Sequence, residues 1–155
     1  MDFDAVDRAI LERLRVDGRA THAQIAKEVG LSAPAVGERI RKLEAAGVIV
    51  GYRAVLDPGS VGLGICAFVA ISPQPRKPAA ALVERLLAMP EVEELHAVAG
   101  TYAYVAKVRV TDTPALDAFL DRLFMLDGVE RTETTMVLRT NAERSPHLPF
   151  APERS

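Results

Sequence analysis

The sequence predicts an α+β chain: an N-terminal winged helix-turn-helix, then a ferredoxin-like βαββαβ unit on an antiparallel sheet. Three observations predict it. Apolar residues recur at helical spacing three times before residue 46, and residues suited to helix caps separate those stretches. After Leu63 the pattern changes to short apolar runs alternating with amphipathic segments. The boundaries expected are 1–60 for the helical domain with its linker, 61–140 for the sheet domain and 141–155 for a tail.

In the first helix, Asp4 to Val16, residues Val6, Ile10, Leu11 and Leu14 form one stripe, with Asp4 or Asp7 near the positive N-terminal end. Asp17-Gly18 breaks it. Ile25, Ala26 and Val29 carry the second helix, and Gly30 ends it as a C-terminal cap. Leu31 fills the corner, Ser32 N-caps the third helix and Pro34 falls in its first turn. There Val36, Ile40 and Leu43 share the inner face, while Pro34, Glu38, Arg41, Lys42 and Ala45 lie opposite. Gly47 is another cap, and VIVGYRAVLDP reads as a short strand pair, or wing, leading into a linker.

Ile65 to Ile71 is the first strand of the second half and SPQPRKP its polar exit. Ala79 to Met89 is amphipathic and Pro90 halts it. Val92 to Val98 and Tyr102 to Val110 form a hairpin about the turn Ala99-Gly100-Thr101. Thr113 is expected to N-cap the last helix, with Pro114 at its first position and Asp127-Gly128 at its close; Val129 to Thr140 is the last strand. Both helices cover one face, so the other is open, and Tyr102 and Tyr104 are expected on it with aliphatic residues. From Ala142 to Ser155, with Pro146, Pro149 and Pro152, the tail lacks periodicity and is expected to be extended or disordered unless a neighbouring subunit holds it.

The composition, 49% hydrophobic and 26% charged over 155 residues, is that of a globular protein with material for a core. No apolar run approaches the roughly 18 residues of a membrane span, and Met1 to Asp7 is acidic rather than a signal sequence, so a cytoplasmic location is expected. Cys66 stands alone in an apolar run, and His22, His96 and His147 show no ligand spacing, so neither a disulfide framework nor a zinc site is indicated.

A helix-turn-helix lays its second helix in the DNA major groove. Ser32, Ala33, Pro34, Ala35 and Glu38 would face bases, with Arg41 and Lys42 on phosphate or an outer base edge. Arg39 lies beside the core stripe and suits a structural ion pair as well as a DNA contact. Arg53 either reaches phosphate or is a solvated strand residue. Gly37 inside a helix either permits close backbone approach to DNA or reflects tolerance. Residues 1–60 are neutral overall, so a monomer would bind DNA poorly, and phosphate contacts must add across subunits. A homodimer or larger assembly is therefore expected.

The linked motifs DxxDRAILxxLxxDGR at Asp4 to Arg19, GLSxxxVxxRIRKLExxGVIxGYxAxLDP at Gly30 to Pro58, PEV at Pro90 to Val92, Gly-x-Tyr at Gly100 to Tyr102 and GVExTxT at Gly128 to Thr134 occur in order. With this architecture the chain resembles the Lrp/AsnC, leucine-responsive or feast/famine, transcription regulators from about Asp2 to Leu138. The resemblance implies an N-terminal DNA-binding domain and a C-terminal domain that dimerises, the homodimers assembling to a tetramer or octamer. It also implies an amino acid or small-metabolite effector, held non-covalently between dimers with no other cofactor. Carried over, the effector residues are Gly100, Thr101, Tyr102, Ala103, Thr132 and Thr134.

Ala103 departs from the family pattern, which commonly has Asp there. Either the ligand is not a simple amino acid, or another group such as Glu133 supplies the charge, or the site is vestigial. Two other functions compete with a ligand-modulated regulator. One is an architectural protein that wraps DNA without a ligand. The other is an enzyme of the siroheme decarboxylase kind, against which no catalytic constellation is visible, although His96 lies close to the turn at Gly100.

Overall fold

A computed structural model describes residues 3–75, 77–144, 146, 148 and 149. His147 and Pro152 of the tail, and Asp2 at the start of the motif match, lie outside the described residues. The chain forms two compact units, residues 1–55 with 142–155 and residues 56–141.

The first unit is helical: α1 (Ala5–Val16), α2 (His22–Val29) and α3 (Ala33–Ala45). Its interior is the stripe that the spacing predicts: Ile10, Leu11, Ile25, Ala26, Val36, Ile40 and Leu43 are buried together, with Val6 and Leu14 packed against them. Each helix start is capped. Asp4 accepts from the Asp7 N–H and Asp7 reaches back, Thr21 does the same with Gln24, and the Ser32 hydroxyl accepts from the Ala35 N–H. Between α2 and α3 Gly30 takes φ +69, the left-handed corner that a side chain would oppose.

Two expectations for this unit change. Residues 50–56 carry no strand, so no wing forms within the described chain. A strand needs a hydrogen-bonded partner, and here Val50 and Val55 stand 93% and 91% exposed. The tail is not left to solvent throughout: Leu148 packs, partly buried, against the helical core of its own chain.

The second unit follows a short 3-10 turn at Gly59–Val61 and runs β1 (Ile65–Pro73), α4 (Ala79–Leu87), β2 (Val92–Ala97), β3 (Tyr104–Val110), α5 (Thr113–Phe124) and β4 (Val129–Met136). The strands form one antiparallel sheet in the order β2-β3-β1-β4, the ferredoxin-like arrangement in which the two central strands are the first and third. Ala67, Val69, Ile71, Ala106, Val108 and Val110 face α4 and α5, meeting Leu82, Leu86, Leu116, Phe119 and Leu123.

Asp112, not Thr113, caps α5: its carboxylate accepts from the Ala115 N–H, so Thr113 is already helical and Pro114 is the second helical residue. Tyr104 packs against the helix-side core rather than on the open face. It shares parity with Ala106 and Val108, and alternation along one strand allows no other side. The open face instead presents Phe68, Ala70, Val105, Lys107, Arg131, Glu133 and Thr135.

Candidate nucleic-acid interface and ligand pocket

On α3 the structure sorts the residues by face. Val36, Gly37, Ile40 and Leu43 are buried, while Ser32, Pro34, Glu38, Arg41 and Lys42 are exposed. Of the remaining residues expected at bases, Ala35 is half-buried and Ala33 packs partly against the core. Arg53, on the extended segment, is exposed. Arg39 turns inward to the start of α1, where its Nη1 donates to Asp4 at 2.6 Å and to Asp7 at 2.7 Å. It serves the fold.

Gly37 has a local cause. A Cβ built there would stand 3.0 Å from His22 Nδ1 and 3.1 Å from Cε1, so the missing side chain makes room for the His22 ring. The sequence could not show this, because His22 and Gly37 meet only after the two helices fold together. The His22 ring, Gly37, Arg41, Glu44 and Tyr52 line a recess of about 360 Å³, across which the Tyr52 hydroxyl donates to Glu44 at 3.1 Å.

The second unit has a recess of about 560 Å³ at the β2–β3 turn, lined by Ala70, Val98, Gly100, Thr101, Tyr102, Val105, Arg131 and Glu133. The Tyr102 hydroxyl donates to Glu133 Oε2 at 2.6 Å, and that carboxylate beside it raises the phenol above its ordinary range. The Arg131 guanidinium lies over the Tyr102 ring, 4.8 Å from its centroid. One tyrosine thus joins a cation and an anion in a single open recess.

Gly100, Thr101 and Tyr102 are brought together there, and the Ala103 backbone anchors the turn, its N–H donating to Ile71 O at 3.2 Å and its carbonyl accepting from Val98. Thr132 and Thr134 are not. They pair with Ile71 and Val69, whose side chains are buried on the helix side, so within one chain both threonines face away from the recess. Arg131 and Glu133, the neighbours of opposite parity, are in it. His96 lies outside the lining and stands 3.2 Å from Glu94, whose carboxyl that contact holds below its usual range.

A capped helix-turn-helix with a solvent-facing second helix, joined to a ferredoxin-like unit, defines the class as a two-part regulator that reads DNA. Residues 3–44 match the family model for the AsnC-type helix-turn-helix domain, and residues 66–146 match that for the Lrp/AsnC ligand binding domain. The chain is 42% identical to the HTH-type transcriptional regulator LrpA of Mycobacterium tuberculosis, over 95% of this chain and 97% of that one. It is 37% identical to the leucine-responsive regulatory protein of Salmonella typhimurium, over 88% of this chain and 85% of that one.

A feast or famine regulatory protein from M. tuberculosis, complexed with L-methionine, superposes with a TM-score of 0.90 at 40% identity, covering 96% of this chain and 100% of that one. A Neisseria meningitidis transcriptional regulator, also complexed with L-methionine, gives 0.88 at 31% identity, covering 93% and 95%. The chain belongs to the Lrp/AsnC family of transcription regulators. Among the described residues, no helix is long and apolar enough to cross a membrane.

Proposed function

We propose that this chain controls transcription in the cytoplasm by reading duplex DNA with the exposed strip of α3. Ser32, Pro34 and Glu38 face the bases, with Ala35 at their margin, and Arg41, Lys42 and Arg53 face the outer edge and the phosphates. The observation that carries the reading is the division of one helix into a buried stripe, Val36, Ile40 and Leu43, and an exposed strip beginning at a capped N-terminus.

The working form is a homodimer that assembles to a tetramer or octamer. Charge supports the pairing of subunits, because residues 1–60 are neutral and need paired presentation to hold DNA. So does the segment 50–56, whose exposed Val50, Val55 and Leu56 have no strand partner among the described residues.

The recess at Gly100 to Tyr102 holds the effector, an amino acid. Arg131 suits a carboxylate and Glu133 an ammonium group, which answers the alanine at position 103. Gly100 supports close approach: its backbone needs no positive φ, and a Cβ there would meet nothing of its own chain within 4 Å. Ligand binding that favours one assembly changes DNA occupancy. The chain is a regulator and not an enzyme.

Selection of duplexes from a random library tests the reading. Enriched sequences should contain inverted half-sites about one helical turn apart, roughly 10 base pairs between centres. Enrichment of none would overturn it. Heating the protein with a panel of amino acids separates a ligand-modulated regulator, whose melting temperature rises, from an architectural protein that binds no effector.

A further inference from the structure

The exposed strip of α3 carries two opposite charges one helical turn apart, and they are bonded to each other. Arg41 Nη2 lies 2.6 Å from Glu38 Oε2, with 71% and 50% of the two side chains exposed. Arg39 is engaged by Asp4 and Asp7. Among the described residues, Lys42 is therefore the one basic side chain of α3 without an ion pair. Pro34 offers neither donor nor acceptor, and Ala35 and Ala45 offer only methyl groups.

A carboxylate at the centre of such a strip works against general DNA affinity. It repels phosphate, and it occupies the guanidinium that would otherwise neutralise one. The major groove gives a carboxylate one good partner, the N4 amino group of cytosine, and gives a free guanidinium the O6 and N7 of guanine. An exposed ion pair of this spacing is weak enough to open when both members find those partners.

We propose that Glu38 is the specificity-determining residue of this surface: it keeps Arg41 paired on unrelated DNA and releases it where a cytosine takes its carboxylate. The inference rests on α3 being the DNA-reading helix. Operators then carry a cytosine at one fixed position of each half-site, with a guanine within reach of Arg41.

Duplexes are selected from a random library with the unaltered protein, Glu38→Gln and Glu38→Ala, and the affinity of each for one random-sequence duplex is measured across salt concentrations. Glu38 is exposed, so all three should melt alike. The expected result is cytosine at one half-site position for the unaltered protein, adenine there for Glu38→Gln, and no preference there for Glu38→Ala. Both variants should bind the random duplex at least about tenfold more tightly, with a salt slope steeper by about one phosphate contact for each subunit engaged. Identical enriched sequences in all three proteins would overturn the inference, as would unchanged affinity for the random duplex; either result suffices. If the unaltered protein enriches no sequence, the reading of α3 itself falls; if it enriches one that the variants share, only the role of Glu38 falls.

Discussion

Arg39 Nη1 stands 2.7 Å from Asp7 Oδ1, tying the second helix of the helix-turn-helix to the first turn of α1. The same nitrogen meets Asp4, the N-cap of α1, at 2.6 Å. The Asp7 N–H first, and Arg39 after it, hold the Asp4 carboxyl below its ordinary value of 3.8. A carboxyl depressed in the folded state contributes fully above its unfolded value and loses that contribution as pH falls through the lower folded one. The melting temperature of the helical unit should therefore fall as the solution is acidified below pH 3.8. In Asp4→Asn that part of the profile should flatten, which thermal melts followed by circular dichroism would show.

The approach of His22 to Gly37 predicts coupling between them. Exchanging a helical glycine for alanine gains about 1 kcal/mol where there is room. Here the new methyl meets the His22 ring, so Gly37→Ala alone should gain little or lose stability. In a His22→Ala background the same exchange should be worth close to the full gain. Denaturant unfolding of the four proteins of the cycle measures the difference; strict additivity would contradict the packing.

At the ligand recess, Tyr102 and Glu133 should respond in opposite ways. Glu133→Gln removes the anion that would meet an ammonium group, and should abolish the rise in melting temperature that an amino acid produces. For a ligand at about 100 times its dissociation constant, that rise reflects about 2.7 kcal/mol. Tyr102→Phe removes only the hydroxyl that occupies Glu133, and should keep the rise. A rise that persists in Glu133→Gln would dissociate Glu133 from the ligand.

Phe119 is fully buried between α5 and the sheet. Phe119→Ala should cost about 3–5 kcal/mol through lost burial and a residual cavity. Calorimetry should show the sheet unit melting earlier while the helical unit is little changed.

What was legible in the sequence was local. Gly30 and Ser32 announce the corner between α2 and α3, and the apolar spacing from Ile10 to Leu43 names the buried helical core apart from Ala20, which lies between helices and outside any stripe. The sheet order followed from the succession of elements and their short connections. What escaped depended on register and on meetings between distant residues. Thr132 and Arg131 are chain neighbours on opposite faces, and the pairing of β4 with β1 decides which one lines the recess. VIVGYRAVL is rich in strand-forming residues, but composition supplies no partner for its hydrogen bonds. Thr113 and Asp112 are both good caps, and only the hydrogen bond to Ala115 distinguishes them.

The central claim is that the exposed strip of α3 meets DNA phosphate and base edges. The salt dependence of duplex affinity, compared between the unaltered protein and Lys42→Ala, tests it most directly. Lys42 is exposed, so the exchange should leave the fold intact. The account predicts binding that weakens with salt in both, with the slope for Lys42→Ala smaller by about one in logarithmic units for each subunit engaged. An unchanged slope, in a variant that melts like its parent, would contradict it.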